Sequence, residues 1–524
     1  MELVTDPPIS VKIRKMKERV RWQEPEMVKR GIDQTRMVLD DGQQDNPDFS
    51  FIVLGDSGSG SYRGYNPQRR VAELMLEQRD GCRFVLHTGD VIYFVGSSEF
   101  YPKNFIEPYR EFLVGGENHE RIAYDQMVFN LPILPVLGNH DYYDLPLLYG
   151  LLAQGTRPLR RLLRSKIDFD IGLHGSHQGD AYARAFLDYL KALPNPADLS
   201  AHLDQHYTAK TETGFCLRYE PGQFTRLPNR YYSFRYGGID FFALDSNTFN
   251  APLPLPATRE GDAYRHTLEQ RRAEQAQKKQ ELMNAGMSLS SNPPEQVEEH
   301  DDLRTKIEQI DEVIHDIDQQ LAANETTVTD TEQLKWLQQG LIKSWNTSEV
   351  RGRIIYFHHP PYVTEASKWH QAQTLAIRHR LRQVLDNVAK AVGAQAQDRP
   401  LVDLILNGHA HCLDYVRTLD TGHADANLNW IVCGGSGFSL RRQRTEGPEL
   451  IEGVGGLGSS QTRLVAKSLL YVGRNGHGYQ KRRPYSFLRI DVQDGRPPKF
   501  TVRPFAAERT QRQWQTQAIK PFVI

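Results

Sequence analysis

Five short segments of this 524-residue chain place residues that could bind metal ions directly after apolar runs. Pooled, they offer carboxylate, phenol, amide and imidazole groups but no cysteine, a set that suits hard-to-borderline cations rather than a thiolate zinc site. The segments are Gly55-Asp56-Ser57-Gly58, Gly89-Asp90-Val91-Ile92-Tyr93, Gly138-Asn139-His140-Asp141, His358-His359-Pro360-Pro361 and Gly408-His409-Ala410-His411.

The residue types and spacing favour two metal ions at one site. Two ions about 3.5–4 Å apart need a ligand that bridges them, and an aspartate carboxylate can do so. His409 and His411 are two residues apart, so on an extended segment they lie on the same side and can each reach a different ion. The glycines that precede several of these residues let the backbone turn sharply off a strand.

The apolar runs that precede the segments alternate with helical patterns, as in an α/β protein. In α/β sheets, ligand sites lie outside the carboxyl ends of strands, so five such loops can converge. We predict an N-terminal extension over residues 1–48. The first part of the core follows over 49–250, with an insert near 145–228, and the second part, including C-terminal strands, spans 331–524.

The strand pattern disappears between the two parts of the core. Residues 251–330 are predicted to form an inserted antiparallel helical hairpin, because 259–325 is rich in charged and amide side chains and a Ser- and Pro-containing break at 288–294 divides it. The second half carries a narrow apolar stripe, which suggests coiled-coil pairing. The 259–325 hairpin is therefore a candidate surface for a protein partner or for self-association.

Composition excludes several classes of protein. Lys and Arg total 64 against 65 Asp and Glu, a net charge of −1, so no nucleic-acid partner is expected. The four cysteines are too few for a disulfide framework. No apolar run reaches 18 residues, and the N-terminus lacks the apolar segment of a signal peptide, so we predict no membrane span and a cytoplasmic location.

The series GDSG, GDVIY, GNHD, FHHPPY and GHAH resembles that of the metallophosphoesterase (calcineurin-like phosphoesterase) superfamily, and is most similar to that of the purple acid phosphatases of the tartrate-resistant type. The first motif departs from the common DxH pattern, because Gly58 stands where His is usual. Purple acid phosphatases use a Tyr of the second motif instead, and Tyr93 matches it. The resemblance covers roughly 49–250 and 331–440. It implies an α/β fold, a four-layer αββα sandwich with two mixed β-sheets.

The resemblance also implies a ligand set for two ions. Asp56, Tyr93 and His411 would hold the first ion, which in the family is Fe(III). The second would be Fe(II), Zn(II) or Mn(II), and Asp90 would bridge the two. The ligands of the second ion would be Asn139, His358 and His409.

The activity implied is hydrolysis of phosphate monoesters of small substrates by a metal-activated hydroxide. His140 would contact substrate and protonate the leaving oxygen, and Asp141 would orient it. His359 is predicted to contact substrate or to support a ligand, and Arg63 to bind phosphate. Two alternatives stay open: a phosphodiesterase acting on nucleotide or lipid-type diesters, and a scaffold or binding protein that works through the helical hairpin.

Overall fold

The computed structural model describes residues 4–61, 65–145, 175–287, 294–396, 399–454, 461–477 and 480–524. The α-helices of these residues are α1 (Ile9–Arg19), α2 (Pro25–Lys29), α3 (Pro67–Glu77), α4 (Asp180–Phe186), α5 (Pro196–His206), α6 (Arg259–Met287), α7 (Pro294–Ala322), α8 (Thr331–Trp345) and α9 (Ala372–Val392).

The strands of the same residues are β1 (Ile32–Leu39), β2 (Phe49–Leu54), β3 (Cys82–His87), β4 (Ile133–Pro135), β5 (Ala209–Thr211), β6 (Gly214–Tyr219), β7 (Tyr232–Tyr236), β8 (Ile239–Ala243), β9 (Gly352–Tyr356), β10 (Leu404–Asn407), β11 (Leu413–Thr418), β12 (Asn429–Cys433), β13 (Glu449–Gly453), β14 (Thr462–Val472), β15 (Arg482–Gln493), β16 (Lys499–Thr510), β17 (Gln513–Ala518) and β18 (Phe522–Val523).

These strands form two mixed sheets. The larger has the order β13-β14-β11-β12-β10-β9-β8-β7-β1-β6-β5, and the smaller has the order β17-β16-β15-β2-β3-β4, with β18 beside β16. The strands that lead to the candidate ligands run parallel to one another: β9 with β10 within the larger sheet, and β2 with β3 and β3 with β4 at one end of the smaller sheet. Residues 32–39 of the predicted N-terminal extension form β1 inside the larger sheet.

The two sheets pack face to face through buried aromatic rings. Phe84 contacts both Phe234 and Phe241 edge-to-face, with ring centroids 5.5 and 5.4 Å apart, and Phe51 contacts Phe241 in the same way at 5.7 Å. Burying one such side chain stabilises the fold by about 1.5–3 kcal/mol. The rings come from β2 and β3 on one side and from β7 and β8 on the other, so this layer joins the sheets.

Helices cover the outer face of each sheet. Helix α3 begins at Pro67, and the Asn66 side chain caps it by accepting a hydrogen bond from the Arg69 amide at 2.9 Å. It packs against β15 and β16 of the smaller sheet. Helices α8 and α9 bury leucines and isoleucines against Phe242 and Ile355 of the larger sheet. The predicted four-layer αββα order is therefore confirmed.

Helices α6 and α7 form the inserted antiparallel hairpin. Arg272 of α6 pairs with Asp318 of α7, and Lys279 pairs with Asp311. The residue numbers of the α7 partners decrease as those of α6 increase, so the two helices run antiparallel. The apolar stripe of α7 contributes Ile310 and Ile317, which are buried. No helix in the described part of the chain is both long and apolar enough to cross a membrane.

Candidate metal centre

The seven predicted metal ligands lie together where five strands end. β2, β3, β4, β9 and β10 each lead into one of the five segments. All seven side chains are buried, and His409, the most accessible of them, is only 8% exposed. The parallel strands deliver their carboxyl ends to one edge, which explains the convergence.

The backbone at this edge is strained in four places. Asp56, Asp90, His409 and His411 have positive φ angles of 55°, 53°, 69° and 45°. Such a conformation is uncommon for residues other than glycine and persists only when the surroundings enforce it, most often at functional sites. Of the ten non-glycine residues with positive φ in the described chain, four are predicted ligands.

Two of the glycines beside the candidate ligands are needed for close approach. A Cβ on Gly138 would lie 2.1 Å from Asp90 Oδ1, and one on Gly408 would lie 2.6 Å from Asp56 Oδ2, so the carboxylates leave no room for a side chain. Gly89 differs, because its φ of 99° is one that favours glycine.

One group of ligands surrounds the Tyr93 hydroxyl. The phenol oxygen lies 2.9 Å from Asp56 Oδ1, 2.8 Å from Asp90 Oδ2 and 3.0 Å from His411 Nε2. The His411 ring is oriented by its other nitrogen, Nδ1, which lies 3.0 Å from the Ser439 carbonyl oxygen. Because a carbonyl oxygen can only accept a hydrogen bond, Nδ1 carries the proton. Nε2 is then the nitrogen that faces the oxygens.

A second group surrounds the Asn139 side chain. Its Oδ1 lies 3.0 Å from His358 Nε2 and 3.0 Å from His409 Nδ1. The other nitrogen of His358 bonds the Thr88 carbonyl at 2.9 Å. Asp90 joins this group as well, since its Oδ2 lies 3.3 Å from His358 Nε2. The Asp90 carboxylate is thus shared by both groups.

The electrostatics of the cluster fit a cation. Burial raises the pKa of Asp56 well above its usual range, and the neighbouring Asp90 raises it further, against the opposing charge of His358. Burial lowers the pKa of His358, but the Asp90 carboxylate outweighs it and raises this pKa to about 9. Two buried carboxylates and a phenol in contact therefore favour added positive charge, which a metal ion would supply.

His359 lies beside the second group. One ring nitrogen each of His358, His359 and His409 lie within 4.8 Å of one another. His359 Nδ1 bonds Ser246 Oγ at 2.8 Å, whereas its buried Nε2 has no hydrogen-bond partner among the described residues. Burial holds its pKa well below the usual range, so the ring is neutral. A neutral imidazole with an unpaired nitrogen can contact substrate or a metal ion.

His140 is placed at the edge of the centre with a defined orientation. Its backbone amide donates to Asp90 Oδ1 at 2.9 Å, and its ring Nδ1 donates to the Phe94 carbonyl oxygen at 2.6 Å. Because Nδ1 keeps its proton in this bond, Nε2 is the nitrogen that can exchange one. The ring packs on Tyr93 with centroids 4.3 Å apart, and burial lowers its pKa.

Asp141 does not contact the His140 ring. Its carboxylate accepts hydrogen bonds from the backbone amides of Gly138 at 2.9 Å and Val91 at 3.1 Å. Asp141 therefore ties the second segment to the third, and the orienting role predicted for it falls instead to the Phe94 carbonyl. Arg63, predicted to bind phosphate, lies outside the described residues.

Three further charged residues lie beside the centre, and of these only Arg441 belongs to a sequence pattern, the basic run 441–444, of a kind that could line the mouth of a site and attract an anion. Lys368 Nζ lies 3.0 Å from His409 Nε2 and 2.8 Å from Glu312 Oε2 of the hairpin, and Arg441 bonds the same carboxylate. None of the three follows a strand end or belongs to one of the five segments. A lysine ten residues after His358 and an acid within an acid-rich helix carried no signal that could have identified them.

The sequence matches no known family model and no curated protein. Similar solved structures include purple acid phosphatase PPD1 from yellow lupin (Lupinus luteus) seeds, at 12% identity and a TM-score of 0.40, covering 92% of this chain and 54% of that chain. The match thus covers only about half, 54%, of the length of the lupin chain.

Two further solved structures are similar at comparable levels. GAP50, an anchor in the inner membrane complex of Plasmodium, has 12% identity and a TM-score of 0.35, covering 90% of this chain and 89% of its own. PhoD has 11% identity and a TM-score of 0.36, covering 92% of this chain and 70% of its own. Function is therefore inferred from the geometry of the site.

Proposed function

We propose that this chain is a metal-dependent phosphoesterase that hydrolyses phosphate monoesters at a dinuclear centre. The observation that carries the proposal is the position of Asp90, whose carboxylate contacts both the Tyr93 group and His358 of the Asn139 group. A pair of metal ions supplies Lewis acidity, which lowers the pKa of a water toward neutrality and neutralises charge on phosphoryl oxygens.

Each group of ligands would hold one ion, with Asp90 between them. In the first group the donors are Asp56, Tyr93 and His411, and an anionic phenolate oxygen favours a trivalent ion, here Fe(III). The second group holds Fe(II), Zn(II) or Mn(II), since imidazole and amide oxygen suit a divalent ion. Its donors are Asn139, His358 and His409.

His140 would hold and move the proton that the leaving oxygen needs. Nδ1 stays bonded to the Phe94 carbonyl at 2.6 Å, so the ring keeps one orientation while Nε2 delivers the proton. General acid catalysis of this kind typically contributes about 10²–10⁴-fold. Phe438 stacks on Tyr93 with ring centroids 4.0 Å apart and restricts the access of water to that side.

The surroundings favour a monoester over a diester. Helix α7 packs across one side of the centre, where Thr305 bonds Ser439 at 3.0 Å and Glu312 bonds Lys368 at 2.8 Å. A diester must place a second esterified group beside the phosphorus, whereas a monoester presents only unesterified oxygens there. The same contacts occupy one face of α7, which leaves less of the hairpin for the scaffold alternative.

The proposal is tested by comparing an aryl phosphate monoester with a bis-aryl diester, using protein whose metal content is measured. We expect about two ions per chain, a preference for the monoester, and a kcat lowered by about 10²–10⁴-fold in His140→Ala with unchanged metal content. The matched control is His266→Ala, because His266 lies on the hairpin with its side chain 76% exposed.

Other outcomes contradict the proposal in distinct ways. A preference for the diester would replace monoesterase by phosphodiesterase activity. Metal-loaded protein that turns over neither ester would point to the scaffold alternative. An equal loss of activity in His140→Ala and His266→Ala would remove the role given to His140.

A further inference from the structure

Helix α7 docks on the core through one polar face. Side chains spaced three or four residues apart all point the same way, as expected for one side of a helix. The contacts of this face are Thr305 Oγ1 with Ser439 Oγ at 3.0 Å, Gln309 Nε2 with Glu365 Oε1 at 3.3 Å, Asp316 with the Ala372 amide at 2.7 Å, and Gln320 Nε2 with the Leu253 carbonyl at 2.8 Å. We call these residues, together with Glu312, the docking stripe.

Glu312 lies in the middle of the docking stripe and bonds two cations. Its Oε1 accepts from Arg441 at 2.9 Å, and its Oε2 accepts from Lys368 at 2.8 Å. Arg441 and Lys368 are each only 2% exposed, whereas the Glu312 side chain is 31% exposed. Burial raises the pKa of Glu312, but the two cations outweigh it and lower this pKa to about 2. Glu312 therefore carries its charge on the open side of the trio.

Both residues are bonded to candidate ligands of the metal centre, Lys368 through its side chain and Arg441 through its backbone. Lys368 Nζ lies 3.0 Å from His409 Nε2, and the Arg441 amide donates to the His411 carbonyl at 3.0 Å. Glu312 also acts electrostatically on His140, the residue proposed to face the leaving oxygen. The carboxylate thus stands at the rim where the part of the substrate beyond its phosphate would lie.

Several acidic side chains surround the two cations at this rim. Arg441 is influenced by Glu308 and Glu365 as well as by Glu312, and all three raise its pKa against the effect of burial. An approaching anion would meet cations already paired and an exposed carboxylate in front of them. Placing like charges side by side is costly where water is partly excluded.

We propose that Glu312 determines substrate specificity, so that the site selects phosphate monoesters of uncharged alcohols or phenols over monoesters whose alcohol carries a second anionic group. The proposal rests on the phosphomonoesterase function. It assigns the inserted hairpin a role in the substrate site, because the core by itself would present Lys368 and Arg441 without the Glu312 carboxylate that bonds both. With that carboxylate neutralised, the two cations would attract the second anionic group.

The test compares phenyl phosphate with 4-carboxyphenyl phosphate, which differ by one carboxylate. We expect Glu312→Gln to raise kcat/KM for the carboxylated ester relative to phenyl phosphate by roughly tenfold, as for one like-charge contact partly screened by water. The matched control is Asp311→Asn, since Asp311 is the adjacent acid of α7 and pairs with Lys279 within the hairpin. Its ratio should equal that of the wild type.

A second variant and a binding measurement keep the test decisive. Glu312→Ala removes the side chain while favouring the helix, and it should raise the ratio in the same direction if Glu312→Gln fails to fold. Calorimetry would give the affinity of each metal-loaded variant for both esters. The ratio of these two affinities should change in the same direction as the ratio of the two kcat/KM values.

Two failures can be told apart. If both esters are hydrolysed and both Glu312 variants leave the ratio within twofold of Asp311→Asn, the specificity proposal is overturned while the phosphomonoesterase function stands. If neither ester is hydrolysed but Glu312→Gln tightens binding of the carboxylated ester alone, the function falls and the charge selection at the rim stands.

Discussion

The strand-end segments and the docking stripe of α7 meet at the same rim, yet they are held in different ways. The segments continue directly from buried parallel strands, and their ligands are at most 8% exposed. The docking stripe belongs to an inserted hairpin and is held by side-chain hydrogen bonds and ion pairs, with Glu312 still 31% exposed. The rigid strand ends suit groups that must stay in place for chemistry, whereas an added helix can change a rim without disturbing the sheet.

The largest effect is expected at the strand-end segments, where Asp90 lies between the two groups of candidate ligands. Asp90→Asn should abolish dinuclear metal binding and lower kcat by more than the roughly 10–100-fold typical of residues that only support a ligand. Metal content and kcat would be measured together. The control is Asp420→Asn, whose side chain is 85% exposed. Retention of two ions by Asp90→Asn would show that Asp90 is not shared between them.

The same variant separates metal binding from folding. Burial raises the pKa of Asp90, but His358 and His140 outweigh it and hold this pKa well below its usual range, so the charge of Asp90 favours the folded state even when no cation is bound. Its carboxylate also accepts hydrogen bonds from the His140 amide and the Tyr93 hydroxyl. Without metal, we therefore expect Asp90→Asn to unfold at a lower urea concentration than the wild type. An equal or higher midpoint would mean that the charge of Asp90 opposes folding until a cation is bound.

A smaller effect, on the free energy of unfolding, is expected for a residue through which the hairpin contacts the core. Asp316 accepts hydrogen bonds from the Ala372 and Gln373 amides and so caps the first turn of α9 from another helix. Asp316→Ala should lower the free energy of unfolding by about 1 kcal/mol, the usual cost of losing a cap. Urea unfolding would measure it against Asp318→Ala, which removes an ion pair within the hairpin. Equal values would argue that α7 is not docked as described.

The smallest expected effect is on the free energy of unfolding at acidic pH. The folded-state pKa of Glu312 is lowered to about 2, below its ordinary 4.5, so the stability that it contributes is present above pH 4.5 and is lost as pH falls toward about 2. The difference in unfolding free energy between the metal-free wild type and Glu312→Gln should therefore shrink across that range. A difference that does not vary with pH would show that the ion pairs with Lys368 and Arg441 contribute nothing to docking.

The order of the five segments was sufficient to anticipate that the seven candidate ligands would meet. Each follows an apolar run, and the carboxyl ends of parallel strands share one edge, so local pattern and topology point to the same place. The αββα layers and the antiparallel hairpin followed from the same reasoning together with the resemblance.

Local reasoning failed where contacts come from distant parts of the chain. Their adjacency in sequence predicts that Asp141 orients His140, but the turn directs the Asp141 carboxylate to the amides of Gly138 and Val91. Glu312 resembles any solvated acid of a charged helix, and Lys368 follows no motif. The surface that the rest of the chain presents decides which face of an amphipathic hairpin packs against the core.

The types and the spacing of the candidate ligands can be read from the amino-acid order, because both are local properties and strand ends impose the order in which they meet. The surroundings of the centre, in contrast, depend on tertiary packing. Lys368 and Arg441 reach Glu312 across 56 and 129 residues of chain, and such pairs form only after both elements have packed on the same sheet. The charge around a site is a sum over neighbours in space, whereas the sequence orders residues along a line.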